Sequence, residues 1–205
     1  IANLQSDFRI AAEHYLKAAD IAMEASDLDV EIHRWLIAAA DALNSDGDRF
    51  GNNQTLAKAL GLTDRALHLL PRKVDPIRWA QAQFVKGGTL ASLGKLETGT
   101  DHLEKAIEAY RAALEEQTLD YTPRDWAMTQ GNLGAALAIL GRRRAGPDQL
   151  AAAVTAFRAA LQEHKRDRAP LSWARHQSNL AGALLRLGKR QPGTEEIREA
   201  IEAYR

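Results

Sequence analysis

The sequence predicts an all-α protein built as an array of antiparallel helix pairs, and three observations support this. First, Trp79, Trp126 and Trp173 are each separated by 47 residues, and nine positions around them repeat in register. Self-similarity at a period of about 20–50 residues is typical of stacked repeat arrays. Second, apolar residues recur at helical spacing within each copy. Third, the alternating Val, Ile and Thr pattern of a β-strand is absent from the sequence.

The 47-residue period organises the chain into one helical repeat domain, 1–205. We assign a leading helix to 1–28, a degenerate repeat to 29–75, full repeats to 76–122 and 123–169, and a truncated repeat to 170–205. The degenerate copy is identified by Gly47, which lies one period before Gly94. Because the last copy stops in mid-unit, we expect the chain to be part of a longer protein.

The elements follow in order from local signals. Residues 7–25 read as one helix ahead of the first copy. In the copy 123–169, Thr122 can act as N-cap and Pro123 suits the first helical position, where a missing N–H costs nothing. Gly141 is predicted to end this first helix, because glycine accepts a left-handed turn.

The second half of that copy follows the same logic. The run 142–146, which contains three arginines, is predicted to form the loop, and Pro147 starts the second helix. Each helix is expected to span roughly 17 residues, or about 25 Å. One pair cannot bury both of its apolar faces alone, so copies are expected to stack.

Small and large residues are predicted to pack against each other within each pair. Gly134 lets the two helices approach closely, and Phe157 is expected to fill the space opposite it. Tyr110 and Tyr204 occupy the position of Phe157 in the neighbouring copies. Trp126 is expected to lie in the core with Phe157.

These units resemble tetratricopeptide repeats. The resemblance is carried by Gln130-x2-Leu133-Gly134-x2-Leu137, then Ala153-x3-Phe157, then Pro170. The family pattern has a period of about 34 residues, so this chain is similar to a long-helix variant. The resemblance implies a right-handed superhelix with a concave groove lined by the first helix of each pair. It also implies a scaffold that binds a peptide or another protein in that groove.

When the groove positions of the family are transferred to each copy, the resemblance implies a set of partner-binding residues. They are Gln81, Phe84, Met128, Gly131, Asn132, Ile139, Arg175, Ser178, Asn179 and Arg186. A second surface is an alternative candidate for partner binding. Lys95, the run 142–144 and Lys189–Arg190 fall at the same predicted turn in successive copies, so stacking would align them into a basic edge.

Composition and motif searches argue against catalysis and several ligand classes. The chain has no Cys, which excludes disulfides and thiolate metal sites, and its six His show no metal-ligand spacing. No phosphate loop or nucleophile motif is present. The formal net charge of zero argues against nucleic acid as the main partner. No apolar run is long enough to span a membrane. We therefore expect no catalytic residues, metal or cofactor, and a cytoplasmic protein.

Two non-enzymatic functions remain open at the level of sequence, beside an enzyme of unrecognised type. The first is a non-enzymatic scaffold that binds a peptide or protein segment in the concave groove. The alternative is a regulatory module that senses a ligand or peptide and controls an effector domain elsewhere in a longer protein. In either case, exposed repeat ends are expected to self-associate.

Overall fold

A computed structural model describes residues 2–24, 28–190 and 195–203, and these ranges contain only α-helices as regular structure. The helices are α1 (Ala2–Glu24), α2 (Asp29–Phe50), α3 (Asn53–Leu69), α4 (Pro76–Leu96), α5 (Asp101–Leu114), α6 (Pro123–Arg144), α7 (Pro147–Glu163), α8 (Pro170–Gly188) and α9 (Glu195–Ala203). The all-α prediction is confirmed for this part of the chain. Tyr204 lies outside the described residues.

The chain divides into two compact units, and the first comprises Ile1–Glu116. In unit 1, each of the helices α1 to α4 packs on the next one, and α2 also contacts α4. The packing buries a cluster that includes Leu36 and Ile37 of α2 and Val85 of α4. Small side chains, chiefly alanines, fill the rest of this cluster and let the helices lie close together.

The second unit comprises Gln117–Arg205 and contains α6 to α9. Each helix again packs on its successor, and α6 also touches α8. The largest fully buried side chains of this unit include Leu150, Phe157 and Leu184. As predicted, Phe157 packs against a small residue: a Cβ placed on Gly134 would lie 2.9 Å from Cδ1 of the Phe157 ring.

The three repeated tryptophans occupy equivalent positions at helix starts. Each lies three residues after a proline that begins its helix, and each is half-buried. Arg72 lies over the Trp79 ring and Arg166 over the Trp173 ring, with guanidinium-to-centroid distances of 5.2 and 5.3 Å. The half-buried setting differs from the core position predicted for Trp126. The reason is that the first turn of a helix lies at the edge of the helix pair, where solvent reaches one side of the ring.

Of the glycines predicted to end the first helix of each pair, Gly94 and Gly141 lie within helices, whereas Gly188 is the last residue of α8. In each copy a Leu or Ile nine residues later packs onto the glycine, so that a Cβ there would lie 2.5–3.0 Å from the Cγ of the Leu or the Cγ1 of the Ile. The pairs are Gly47 with Leu56, Gly94 with Leu103, Gly141 with Leu150, and Gly188 with Ile197. The prediction of a glycine stop is therefore wrong for Gly94 and Gly141 and confirmed for Gly188. All of these glycines permit close approach of the two helices.

The arginine run consequently lies in a helix and not in a loop. Helix α6 continues through Arg144, and the left-handed residue after it is Ala145, with φ of 55°. Positive side chains in a last turn interact favourably with the helix dipole, which helps α6 to extend past Gly141.

Candidate functional site

A groove in unit 2 brings together three helices around a cavity of about 330 Å³. Its first wall is the second half of α6, which contributes Ala135, Ala138, Ile139 and Arg142. Its second wall is the middle of α8, which contributes Ser178, Asn179, Gly182, Ala183 and Arg186. Phe157 of α7 lies between the two walls. We term this surface the α6–α8 groove.

The floor of the α6–α8 groove is apolar and firmly held. The Phe157 side chain is only 1% exposed, and its ring is pressed against the backbone of α6 at Gly134. Ile139 is half-buried on the α6 wall, and Ala183 is buried on the α8 wall. An apolar side chain of a ligand that enters the groove would therefore leave water for a hydrocarbon surface.

The rim of the groove is positive. Arg142 in the last turn of α6 and Arg186 in the last turn of α8 are both exposed. Arg186 Nη1 donates a hydrogen bond to the Gly182 carbonyl oxygen at 2.9 Å, which lays its side chain along α8. No Asp or Glu is among the residues that line the groove. A carboxylate would find two guanidinium groups here, the donors best suited to binding it bidentately.

The polar groups of the α8 wall come from regular helical spacing. Ser178, Gly182 and Arg186 follow at intervals of four residues, which places them on one face of the helix. Asn179 lies next to Ser178, and both side chains are exposed. An asparagine amide can donate to a carbonyl and accept from an N–H at the same time, so Asn179 has the groups needed to bind a peptide backbone.

Four of the ten residues predicted from sequence line this groove: Ile139, Ser178, Asn179 and Arg186. On the same two helices but outside the lining, Met128 and Arg175 are exposed and Asn132 is half-buried. Gly131 is buried, with the His176 ring packed directly onto it.

The remaining two predicted residues belong to α4 in unit 1. Gln81 is exposed and Phe84 is half-buried. The Phe84 ring packs against the unit 1 core and lies 6.1 Å from the Tyr110 ring, centroid to centroid. Much of the Phe84 surface is therefore used inside its own unit.

A buried polar pair in unit 2 was not predicted. His164, just after α7, and His176, in α8, lie with Nδ1 and Nε2 3.0 Å apart. One period earlier, Thr129 Oγ1 donates to Gln117 Oε1 at 2.6 Å. The 47-residue period relates both pairs, so a search for polar residues at matching positions in otherwise apolar stripes would have found them.

A cavity of unit 1 differs from the α6–α8 groove in its charge. It encloses about 490 Å³ between α3, α4 and α5, and its lining includes Asp64, Lys86, Lys105 and Glu108. Lys86 Nζ lies 2.7 Å from Asp64 Oδ1, so these two charges already compensate each other. This cavity therefore presents no net preference for a charged ligand.

Other site types have less support. Within the described ranges, no three His, Cys, Asp or Glu side chains are grouped so that they could hold a metal ion. Over the same residues, no helix is long and apolar enough to cross a membrane. Comparison with protein-family models found no match to this chain, and comparison with curated proteins found none either.

Proposed function

We propose that this protein is a non-enzymatic interaction module that holds an extended peptide segment of a partner protein in the α6–α8 groove. The segment carries an apolar side chain next to acidic ones. The observation that carries this proposal is the combination of an apolar floor with a rim that has two arginines and no carboxylate.

The size of the groove fits a short stretch of peptide. Its volume of about 330 Å³ lies at the small end of ligand-binding cavities, which range from about 300 to 1,000 Å³. One apolar anchor can occupy the space above Phe157, and an acidic residue on either side can reach Arg142 or Arg186. Exposed ion pairs contribute up to about 1 kcal/mol each, so the two arginines together favour acidic over basic peptides.

The wider setting of the groove is also a proposal. We propose that the helix pairs form a right-handed superhelix of the tetratricopeptide type, which the repeated glycine–leucine contacts at 47-residue intervals support. A cytoplasmic setting is proposed from the lack of cysteine in the sequence. Small-angle scattering by the whole chain tests the superhelix, because a collapsed bundle would give a clearly smaller radius of gyration.

A peptide-display selection against the whole chain tests the proposed ligand class. We expect enriched peptides to combine an aliphatic or aromatic residue with Asp or Glu within three positions. The leading peptide, synthesised with a fluorophore, should bind more weakly as NaCl rises from 20 to about 300 mM, since salt screens partly exposed charges.

Charge-reversal variants show whether the binding is in the groove. The double variant Arg142→Glu/Arg186→Glu should weaken binding at least tenfold. Arg124→Glu is the matched control, because Arg124 is exposed in the first turn of α6 and lies outside the groove lining. Equal binding by the double variant and the control, or enrichment of peptides without acidic residues, would contradict the proposal.

A further inference from the structure

The His164–His176 pair is the most unusual buried feature outside the groove. The ring centroids are 5.1 Å apart, the planes differ by 8°, and the facing nitrogens are 3.0 Å apart. The nitrogens therefore lie between the centroids, so the rings meet edge to edge in nearly one plane. This is the geometry of a hydrogen bond between two imidazoles, and not of face-to-face stacking.

The surroundings of His176 disfavour the addition of a second proton to its ring. Its side chain is 1% exposed, and its Nδ1 is buried without a hydrogen-bond partner. Helix α6 closes this side of the ring, since a Cβ on Gly131 would lie 2.7 Å from Nδ1. Protonation of Nδ1 would therefore bury both a positive charge and an unpaired N–H donor, and each of these is costly.

The charged groups around the pair also disfavour protonation of His164 and His176. Burial, followed by the positive charge of Arg175 on α8, lowers the pKa of both rings, and that of His176 falls to about 4. Glu163 at the end of α7 acts in the opposite direction on His164, but it is the weaker influence. The charged side chains of α9, which also packs on α8, are not among the groups that shift either pKa. From α6, the ring meets Gly131, which does not titrate.

We propose that the His164–His176 pair makes the joint between α7 and α8 acid-labile, so that mild acid releases α8 from α6 and α7. Two facing imidazoles share one proton in their hydrogen bond, and a fully protonated pair would present two donors and two positive charges to each other. One period earlier, the corresponding pair is Gln117 and Thr129, which do not titrate. Of these two related pairs in unit 2, the His164–His176 pair is the one that can titrate.

Amide hydrogen exchange across α8 measures the release directly. The pKa of His176 is 6.5 when α8 is released and about 4 when α8 is packed. Proton linkage therefore makes the equilibrium constant for release of α8 roughly 20-fold larger at pH 5 than at pH 7. We expect this increase in α8 of the wild-type chain, after correction for the intrinsic effect of pH on exchange. Lack of any increase in α8 would overturn the proposal.

The chain supplies its own matched control in the Gln117–Thr129 pair. The double variant His164→Gln/His176→Thr installs that pair at the acid-labile joint, and its α8 exchange should change less than threefold over the same pH range. An increase equal to that of the wild type would overturn the proposal. If this variant does not fold, NMR titration of the His176 ring in the wild-type chain tests the proposal instead. A pKa below 5 supports the proposal, and a pKa near 6.5 overturns it.

Discussion

Replacing Gly47 with Ala tests whether the periodic glycines serve helix contact. A Cβ at Gly47 would lie 2.5 Å from Leu56 Cγ and 3.2 Å from the Asn52 carbonyl oxygen, both closer than ordinary van der Waals contact. Overpacking of a buried contact costs about 1–3 kcal/mol, while Gly→Ala within a helix otherwise gains up to about 1 kcal/mol. We therefore expect Gly47→Ala to lower the free energy of unfolding by about 1–2 kcal/mol.

Gly61 provides the matched control in the same unit. It lies within α3, and a Cβ there would meet nothing within 4 Å. Gly61→Ala should therefore raise the free energy of unfolding by about 0.5–1 kcal/mol, through helix propensity alone. Urea unfolding followed by far-UV circular dichroism would measure both changes, which are expected to have opposite signs.

A double-mutant cycle isolates the contact itself. Leu56→Ala alone should cost about 2–5 kcal/mol, since the side chain is fully buried. In that background the contact with Leu56 Cγ is gone and only the one with the Asn52 carbonyl oxygen stays. Gly47→Ala should therefore cost clearly less or become neutral, with a coupling energy above about 1 kcal/mol. If Gly47→Ala costs the same in both backgrounds, the contact account of these glycines is refuted.

Three further predictions concern unit 2. Phe157→Ala should cost about 3–5 kcal/mol in urea unfolding, because the ring is 1% exposed, and a loss below about 1 kcal/mol would contradict its core position. The pKa of His176 is about 4 when folded and 6.5 ordinarily, so the unfolded chain binds the proton more readily and stability falls as pH drops. Linkage gives a loss of about 2 kcal/mol from pH 7 to pH 5, which urea midpoints for the wild type and His176→Thr would check. The side chains of the Arg158–Glu199 ion pair are 54% and 34% exposed, so Glu199→Gln should change the free energy of unfolding by less than about 1 kcal/mol. A larger loss would show that this pair holds α9 in place.

The sequence predicts the helices of this protein well because two independent signals agree. The period locates equivalent positions, and prolines mark helix starts such as Pro123 and Pro147. The packing of Phe157 on Gly134 was predictable for the same reason, since large and small residues recur at fixed intervals. These signals can be read from each segment alone, without knowing which helices are neighbours in the fold.

The features that sequence missed depend on contacts between helices. A glycine after a leucine can be a helix stop or a contact position, and the choice at Gly141 is decided by Leu150 on the next helix. Gly131 was predicted to face a partner, but the His176 ring from α8 covers it. Four of the residues carried over from the resemblance line one groove. Arg142 was missed as a groove residue because α6 was expected to end before it.

The central claim is that the α6–α8 groove holds an acidic peptide. Titration of isotope-labelled protein with the leading selected peptide, followed by amide chemical shifts, tests it most directly. We predict that the largest shifts map to Ile139, Ser178, Asn179 and Gly182, with little change at Lys105 in the unit 1 cavity. Shifts concentrated in unit 1, or on the exposed face of α9, would contradict the claim.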